Sequence, residues 1–222
     1  MEKYVLLDAQ TLVHDKKDIS RYVSESIMNI YGIITEVDLN KYFDLTSKET
    51  AIKVLKENGL TEQEIGPRLD RYLEDLPYSY YNVAWSDELE LSEGSKQLIE
   101  SFKNSKIDLG FVSLEPTKIA DMRFKKLGME SYFSFKFGSE NGVTPTNILR
   151  EASSKINTDL QFSAEQGVII TASPRLIDAA NDLGIYTVAI AKTPEARQNL
   201  SYVNPREIIP SLKERPKKLR TL

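Results

Sequence analysis

Tyr4-Val5-Leu6-Leu7 is a short apolar run that ends on a carboxylate, Asp8, and nothing comparable follows it for about 75 residues. A run this short, and apolar on both faces, predicts a buried parallel strand that delivers Asp8 to a sheet edge. The residues after it have helical periodicity instead. Ile19, Tyr22, Val23, Ile27, Ile30 and Tyr31 recur at threes and fours, and Gly32 suits the helix end. Further helices are predicted over Asp38 to Tyr42, over Ser47 to Glu57 closing on Asn58-Gly59, and over Thr61 to Leu76, interrupted at Gly66-Pro67 and ended by Pro77. Residues 16–89 are therefore expected to form an all-helical insert.

Beyond Gly94 the pattern changes. An amphipathic helix containing Leu98, Ile99 and Phe102 leads into the apolar run Ile107 to Val112, and further runs follow at Phe133 to Phe137, Val168 to Ile170 and Tyr186 to Ile190. Helical stretches separate them, and such alternation implies a parallel sheet with right-handed crossovers. With 222 residues the chain can hold a core of about 150 residues and a smaller insert. The expectation is an α/β fold whose Rossmann-like parallel sheet core comprises residues 1–15 and 90–222.

Composition removes several kinds of chemistry. Without cysteine there is no disulfide, thiolate metal site or cysteine nucleophile, and a single histidine excludes a histidine cluster. A net charge of -4 gives no reason to expect nucleic acid. No tract is long enough to span a bilayer, and the N-terminus lacks the features of a signal peptide, so a soluble, cytoplasmic protein is expected. The basic residues Lys213, Arg215, Lys217, Lys218 and Arg220 near the end read as a solvated tail or as a site for an anionic partner.

The order of strand, carboxylate, helical insert and a strand ending in Ser113 resembles the haloacid dehalogenase-like (HAD) phosphatase superfamily, in its phosphoglycolate phosphatase-like branch with a helical cap. Supporting segments are Glu93-Gly94-Ser95-Lys96-Gln97-Leu98-Ile99 before the second strand, Leu109-Gly110-Phe111-Val112-Ser113 at the second motif, and Ser173-Pro174 followed by Asp178-Ala179-Ala180 and Leu183-Gly184-Ile185 at the fourth. Leu200-Ser201-Tyr202-Val203 matches the closing strand of the family.

The resemblance implies roles for particular positions. Asp8 matches the carboxylate nucleophile. Two residues on, where the family has the acid that protonates the leaving oxygen, stands Gln10, an amide with no proton to give at ordinary pH. The glycine-threonine pair that follows becomes Thr11-Leu12 without a gap, or aligns its threonine with Thr11 if one residue is deleted. Ser113 retains the hydroxyl that binds the phosphoryl group. The third-motif lysine falls on Gly142, in Gly142-Val143-Thr144-Pro145, with Lys136 nearby as a conceivable substitute, and the two fourth-motif acids fall on Ala172 and Leu176. Family members hold magnesium with these carboxylates; here only Asp8 remains, so no metal site and no cofactor are expected.

Ser113 and Ser173 are thus the candidate ligand-binding residues. His14, between the two parts of the chain, reads as a surface or packing histidine or as a proton-transfer group. Tyr72, Tyr78, Tyr80, Tyr81 and Trp85 read as packing of the insert and its linkers, or as a contact patch. Asp44, Thr46 and Lys48 stand where cap residues of the family meet substrate. The leading functional expectation is a catalytically impaired, pseudo-phosphatase-like protein that keeps its core–cap cleft for a small phosphate or other anion, or for a protein partner. The alternatives are an active hydrolase using Asp8 on a small phosphate ester, and an interaction scaffold that binds a second protein or another copy of itself.

Overall fold

The computed structural model describes residues 3–17, 20–85, 88–103, 105 and 107–219, so Ile19 and Arg220 lie outside the described residues. Strand β1 (Lys3–Asp8) runs into one helical turn, α1 (Ala9–Leu12), capped by Asp8. Strand β2 (Val13–Asp15) follows and pairs antiparallel with β3 (Leu89–Leu91), His14 opposite Glu90. His14 therefore sits on a two-stranded ribbon rather than in a loop, because both crossings between sheet and helices are extended and satisfy each other's backbone groups.

Four helices lie between these two strands: α2 (Arg21–Tyr31), α3 (Ser47–Glu57), α4 (Glu62–Ile65) and α5 (Leu69–Ala84), the last two joined by a 3-10 turn over Gly66–Arg68. Helix α2 ends where Gly32 takes a left-handed conformation, φ 73°, which glycine adopts without strain. Helix α3 starts at a reciprocal capping box of Thr46 and Glu49. Two expectations fail here. Asp38 to Tyr42 is a turn, since the Asp38 carboxylate accepts the backbone N–H of Asn40 and competes with helix formation. Helix α5 runs through Pro77 instead of stopping before it. An internal proline costs about 3 kcal/mol. Burial of Tyr72, Leu73, Leu76 and Tyr80 in the apolar cluster of this layer outweighs that, at roughly 1.5–3 kcal/mol for each fully buried side chain.

The rest of the chain alternates helix and strand: α6 (Ser95–Lys103), β4 (Ile107–Val112), α7 (Thr117–Lys126), β5 (Phe135–Phe137), α8 (Pro145–Leu160), β6 (Gly167–Thr171), α9 (Pro174–Asp182), β7 (Tyr186–Ile190), α10 (Pro194–Ser201) and β8 (Glu207–Ile209). Six strands form one parallel sheet in the order β5-β4-β1-β6-β7-β8. Side-chain alternation along β1 sends Val5 and Leu7 to one face, with Phe111 and Phe124, and Tyr4 and Leu6 to the other, with Ile148, Leu149 and Leu176. The closing strand is Glu207–Ile209, not Leu200 to Val203. Thr193 caps a helix that Pro194 opens, and Leu200 and Ser201 are its last residues.

The chain runs outward from β1 through β4 and β5 and then returns to β6. The carboxyl end of β1 therefore lies at the point where the strand order reverses, where open α/β sheets place their ligands. The helical layer lies beside that point, and its apolar cluster includes Ile119 of α7. No helix among the described residues is long and apolar enough to cross a membrane.

Candidate functional site at the end of the first strand

Asp8 is buried, 3% exposed, and both of its carboxylate oxygens accept hydrogen bonds. One carboxylate oxygen accepts the backbone N–H of Gln10 at 3.1 Å. The other accepts hydroxyls from Thr11 at 2.6 Å and from Thr171, at the end of β6, at 2.7 Å. These hydroxyls in turn accept the N–H groups of Ala172 and Ser173. Burial pushes the Asp8 carboxyl above its ordinary range, and the three hydrogen bonds oppose that shift without cancelling it.

Gln10 points toward the end of β4. Its amide donates to Ser113 Oγ at 3.1 Å and to Glu115 Oε2 at 3.0 Å. Ser113 is fully buried, and its oxygen also accepts the N–H of Glu115. Glu115 belongs to a buried network. Arg123, 5% exposed, pairs with both Glu115 and Asp15 and lies 4.9 Å above the Tyr80 ring. Tyr22 donates its hydroxyl to Glu115 at 2.6 Å, and Tyr80 donates to Asp15 at 2.8 Å. Burial alone would raise the Glu115 carboxyl, yet the Arg123 charge and the converging hydrogen bonds hold it below its usual range. The network joins α7 of the sheet domain to α2 and α5 of the helical layer.

A second set of contacts closes the other side. Asp44, at φ 69°, accepts the Ser173 hydroxyl and the Arg175 backbone N–H at the start of α9. Arg175 reaches back to the Asp44 carbonyl and pairs through two nitrogens with Glu49. Nearby, Ser47 N–H bonds to the Leu114 carbonyl and Thr46 Oγ1 to the Val143 carbonyl. Ser173 thus caps α9 through Leu176 N–H while donating to Asp44. Lys48 turns aside to Asp70.

Of the remaining positions singled out by the resemblance, Ala172 lies beside Asp8 while Gly142 and Leu176 do not line the same cavity. Gly142 stands against the start of α8, where an added Cβ would lie 2.6 Å from Asn147 Cβ, so a lysine there requires backbone movement. Lys136 bonds to Asp121 at 2.6 Å on α7. Ala172 lines the cavity beside Asp8, whereas Leu176 is fully buried in the apolar layer under the sheet. Among the described residues no group of three or more His, Asp or Glu side chains could hold a metal. The groups around Asp8, two threonine hydroxyls and an amide N–H, all donate to its carboxylate and so occupy the lone pairs that a magnesium ion needs; these residues do not fit magnesium. His14 is half-exposed, 3.6 Å from Glu90.

Between the two parts lies a cavity of about 420 Å3, lined by polar residues such as Asp8, Gln10, Asp44 and Glu115 and by apolar residues such as Leu39 and Phe43. Ser173 lines it; Ser113 lies outside its wall. Of the aromatic residues singled out in the sequence, Tyr72 and Tyr80 are buried while Tyr78 and Tyr81 are exposed. Glu115, Arg123, Glu49 and Arg175 were not legible as site residues. Arg123 left one signal: it stands on the apolar stripe of Ile119, Ala120 and Phe124, and a charge there has to be paired.

Solved structures share this architecture. A mutant of CbbY from Rhodobacter sphaeroides in complex with xylulose-(1,5)bisphosphate superposes with a TM-score of 0.74 at 16% identity, covering 96% of either chain. A predicted phosphatase from Clostridium acetobutylicum gives 0.72 at 18% identity over 100% of both chains. A predicted phosphoglycolate phosphatase from Haemophilus somnus gives 0.67 at 15% identity, over 96% of this chain and 95% of that one. At such identities the likeness shows the fold. No curated protein matches the chain in sequence. A family model described as haloacid dehalogenase-like hydrolase matches residues 7–190, most of the chain and all of the site just described. The chain belongs to the haloacid dehalogenase-like hydrolase family.

Proposed function

We propose that this protein is a non-hydrolytic member of its family, in which residues 16–89 form a cap over a core of residues 1–15 and 90–222 and the cleft between them holds a small ligand. The observation that carries this reading is the state of Asp8. Its carboxylate is enclosed by Thr11, Thr171 and the Gln10 N–H, with an amide in place of an acid two residues on. Phosphate-ester hydrolysis asks for accelerations of up to about 10²¹-fold. A buried carboxylate without acid, lysine or metal carboxylates does not supply them.

The sequence leads one to expect a small phosphate or other anion as the ligand, and one structural relative was solved with a bisphosphate. In this chain the two candidate hydroxyls, Ser113 and Ser173, are held by internal partners, and carboxylates line the cavity. The bisphosphate relative supports a small phosphate or other anion as that ligand. A cytoplasmic location belongs to the same reading.

The test is turnover of aryl phosphates and phosphoglycolate by purified protein with magnesium, beside an Asp8→Asn control. Equal rates are expected. Magnesium-dependent turnover that vanishes in Asp8→Asn overturns the reading in favour of a hydrolase acting through Asp8.

A further inference from the structure

The chain enters the helical layer after β2 and leaves it before β3, two strands that pair with each other. Asp44 to Glu49 lie far from both crossings in sequence, so their hold on the sheet domain is non-covalent. Two sets of polar contacts join the layers, and they differ in kind. Around Arg123 the charged groups are buried, and breaking that network would leave charges unpaired away from water. Arg175 and Glu49 are different: their side chains are 37% and 18% exposed, so water reaches both partners. A two-pronged arginine–carboxylate pair open to water is firm enough to favour one position and weak enough to part without unfolding the chain.

Asp44 supplies a second observation. Its backbone is left-handed, φ 69°, a conformation that residues with a side chain keep where their surroundings fix it. The contacts that fix it come from the start of α9: the Ser173 hydroxyl and Arg175 N–H reach its carboxylate, and the Arg175 side chain reaches its carbonyl. Thr46 and Ser47 add one bond each, to the Val143 and Leu114 carbonyls. Asp44 and Ser173 both line the cavity, so parting them widens it.

We propose that residues 44–49 are a latch that holds the helical layer against the start of α9 in the ligand-free protein, and that its release swings the layer about the Arg123 network and opens the cavity. The inference rests on the reading of residues 16–89 as a cap over the cleft, and it adds what keeps that cap down and where it parts.

The chain has no cysteine, so introduced cysteines carry spin labels at chosen sites and nowhere else. Two pairs of exposed positions serve. Gln63→Cys with Asp178→Cys reports the separation of α4 from α9, and Arg21→Cys with Lys125→Cys flanks the Arg123 network on α2 and α7. Pulsed electron paramagnetic resonance is expected to give a single distance for each pair in the otherwise unchanged chain. Glu49→Gln removes the charge but keeps an acceptor for the Thr46 N–H, so the start of α3 is preserved. Arg175→Met removes the other partner. In both variants the α4–α9 pair is expected to shift to a longer distance while the α2–α7 pair keeps its own. Lys213→Met, which breaks an exposed pair elsewhere, is expected to change neither. If Arg175→Met does not fold, Glu49→Gln decides alone. An unchanged α4–α9 distance overturns the proposal, and so does lengthening of both pairs together, which is loosening of the whole layer rather than release at one end. Turnover lost in Asp8→Asn would remove the non-hydrolytic reading of the cleft and leave these distances as they are.

Discussion

The side-chain amide of Gln10 donates to the hydroxyl of Ser113 over 3.1 Å and to the Glu115 carboxylate over 3.0 Å, so two positions that family resemblance assigns to substrate chemistry are bonded to each other. Replacing the amide by a carboxylate of the same length therefore damages the fold. Gln10→Glu removes both donated bonds and sets a second carboxylate against Glu115 in a buried place. A loss of about 1–3 kcal/mol at neutral pH is expected. Acidification should restore part of it, because the paired carboxyls then share a proton. Melting curves across a pH series read both effects; a variant as stable as wild type at neutral pH contradicts the geometry.

Asp8 offers the converse case. Its folded-state carboxyl lies above the ordinary range because of burial, so the ionised form is disfavoured in the fold and stability falls as pH rises from the unfolded value through the folded one. Asp8→Asn removes that penalty at neutral pH while the threonine hydroxyls reorient around the amide. A rise in melting temperature of roughly 2–4 °C is expected, equivalent to about 1 kcal/mol for a chain of this length. Below the folded-state value the wild-type carboxyl is protonated, and the gap should close. A gap that widens on acidification has the wrong sign.

Arg123 is the cation on which two buried carboxylates depend. Arg123→Met leaves Asp15 and Glu115 uncompensated and is expected to cost about 3–5 kcal/mol, with loosening of α2 and α5 against α7. The exposed pair Lys213–Glu93 is the control, and Lys213→Met is expected to cost no more than about 1 kcal/mol. Since Glu115 sits below its usual range, the contribution of the network is present above the unfolded carboxylate value and lost as pH falls through the folded one. Denaturant unfolding of both variants at neutral and acid pH decides the matter; equal, small losses contradict a buried network.

Restoring the family's motif residues is not expected to rebuild a magnesium site. At Gly142 even a Cβ meets α8, so Gly142→Ala alone is expected to cost about 1–3 kcal/mol, as overpacking does. Leu176→Asp places a carboxylate among Ile169, Ile148 and Ala180. Only Ala172→Asp opens onto the cavity. Wild type is expected to melt at the same temperature with and without magnesium, because a ligand raises the melting point only by binding the folded state. A rise that tracks magnesium concentration in wild type identifies a metal site that the donor set does not provide.

Much of this protein was decided locally. The run from Tyr4 to Leu7 is apolar at every position, so it is a strand buried on both faces, and Asp8 follows at its carboxyl end. Helix α3 begins and ends where its capping box and Asn58-Gly59 place it, since both signals act within one turn. Where sequence reading failed, tertiary burial or local competition prevailed: α5 absorbs Pro77 because its apolar face has a cluster to join, and Asp38 diverts its own backbone into a turn. The absence of an acid at Gln10, Ala172 and Leu176 was visible from residue identity alone. What replaced the acids was not. Gln10 meets Glu115 across 105 positions, Arg123 meets Asp15 across 108, and Asp44 meets Ser173 across 129. Contacts at such separations leave no periodicity in the sequence; the parallel order of the sheet, which brings the ends of β1, β4 and β6 together, and the packing of the helical layer over those ends create them.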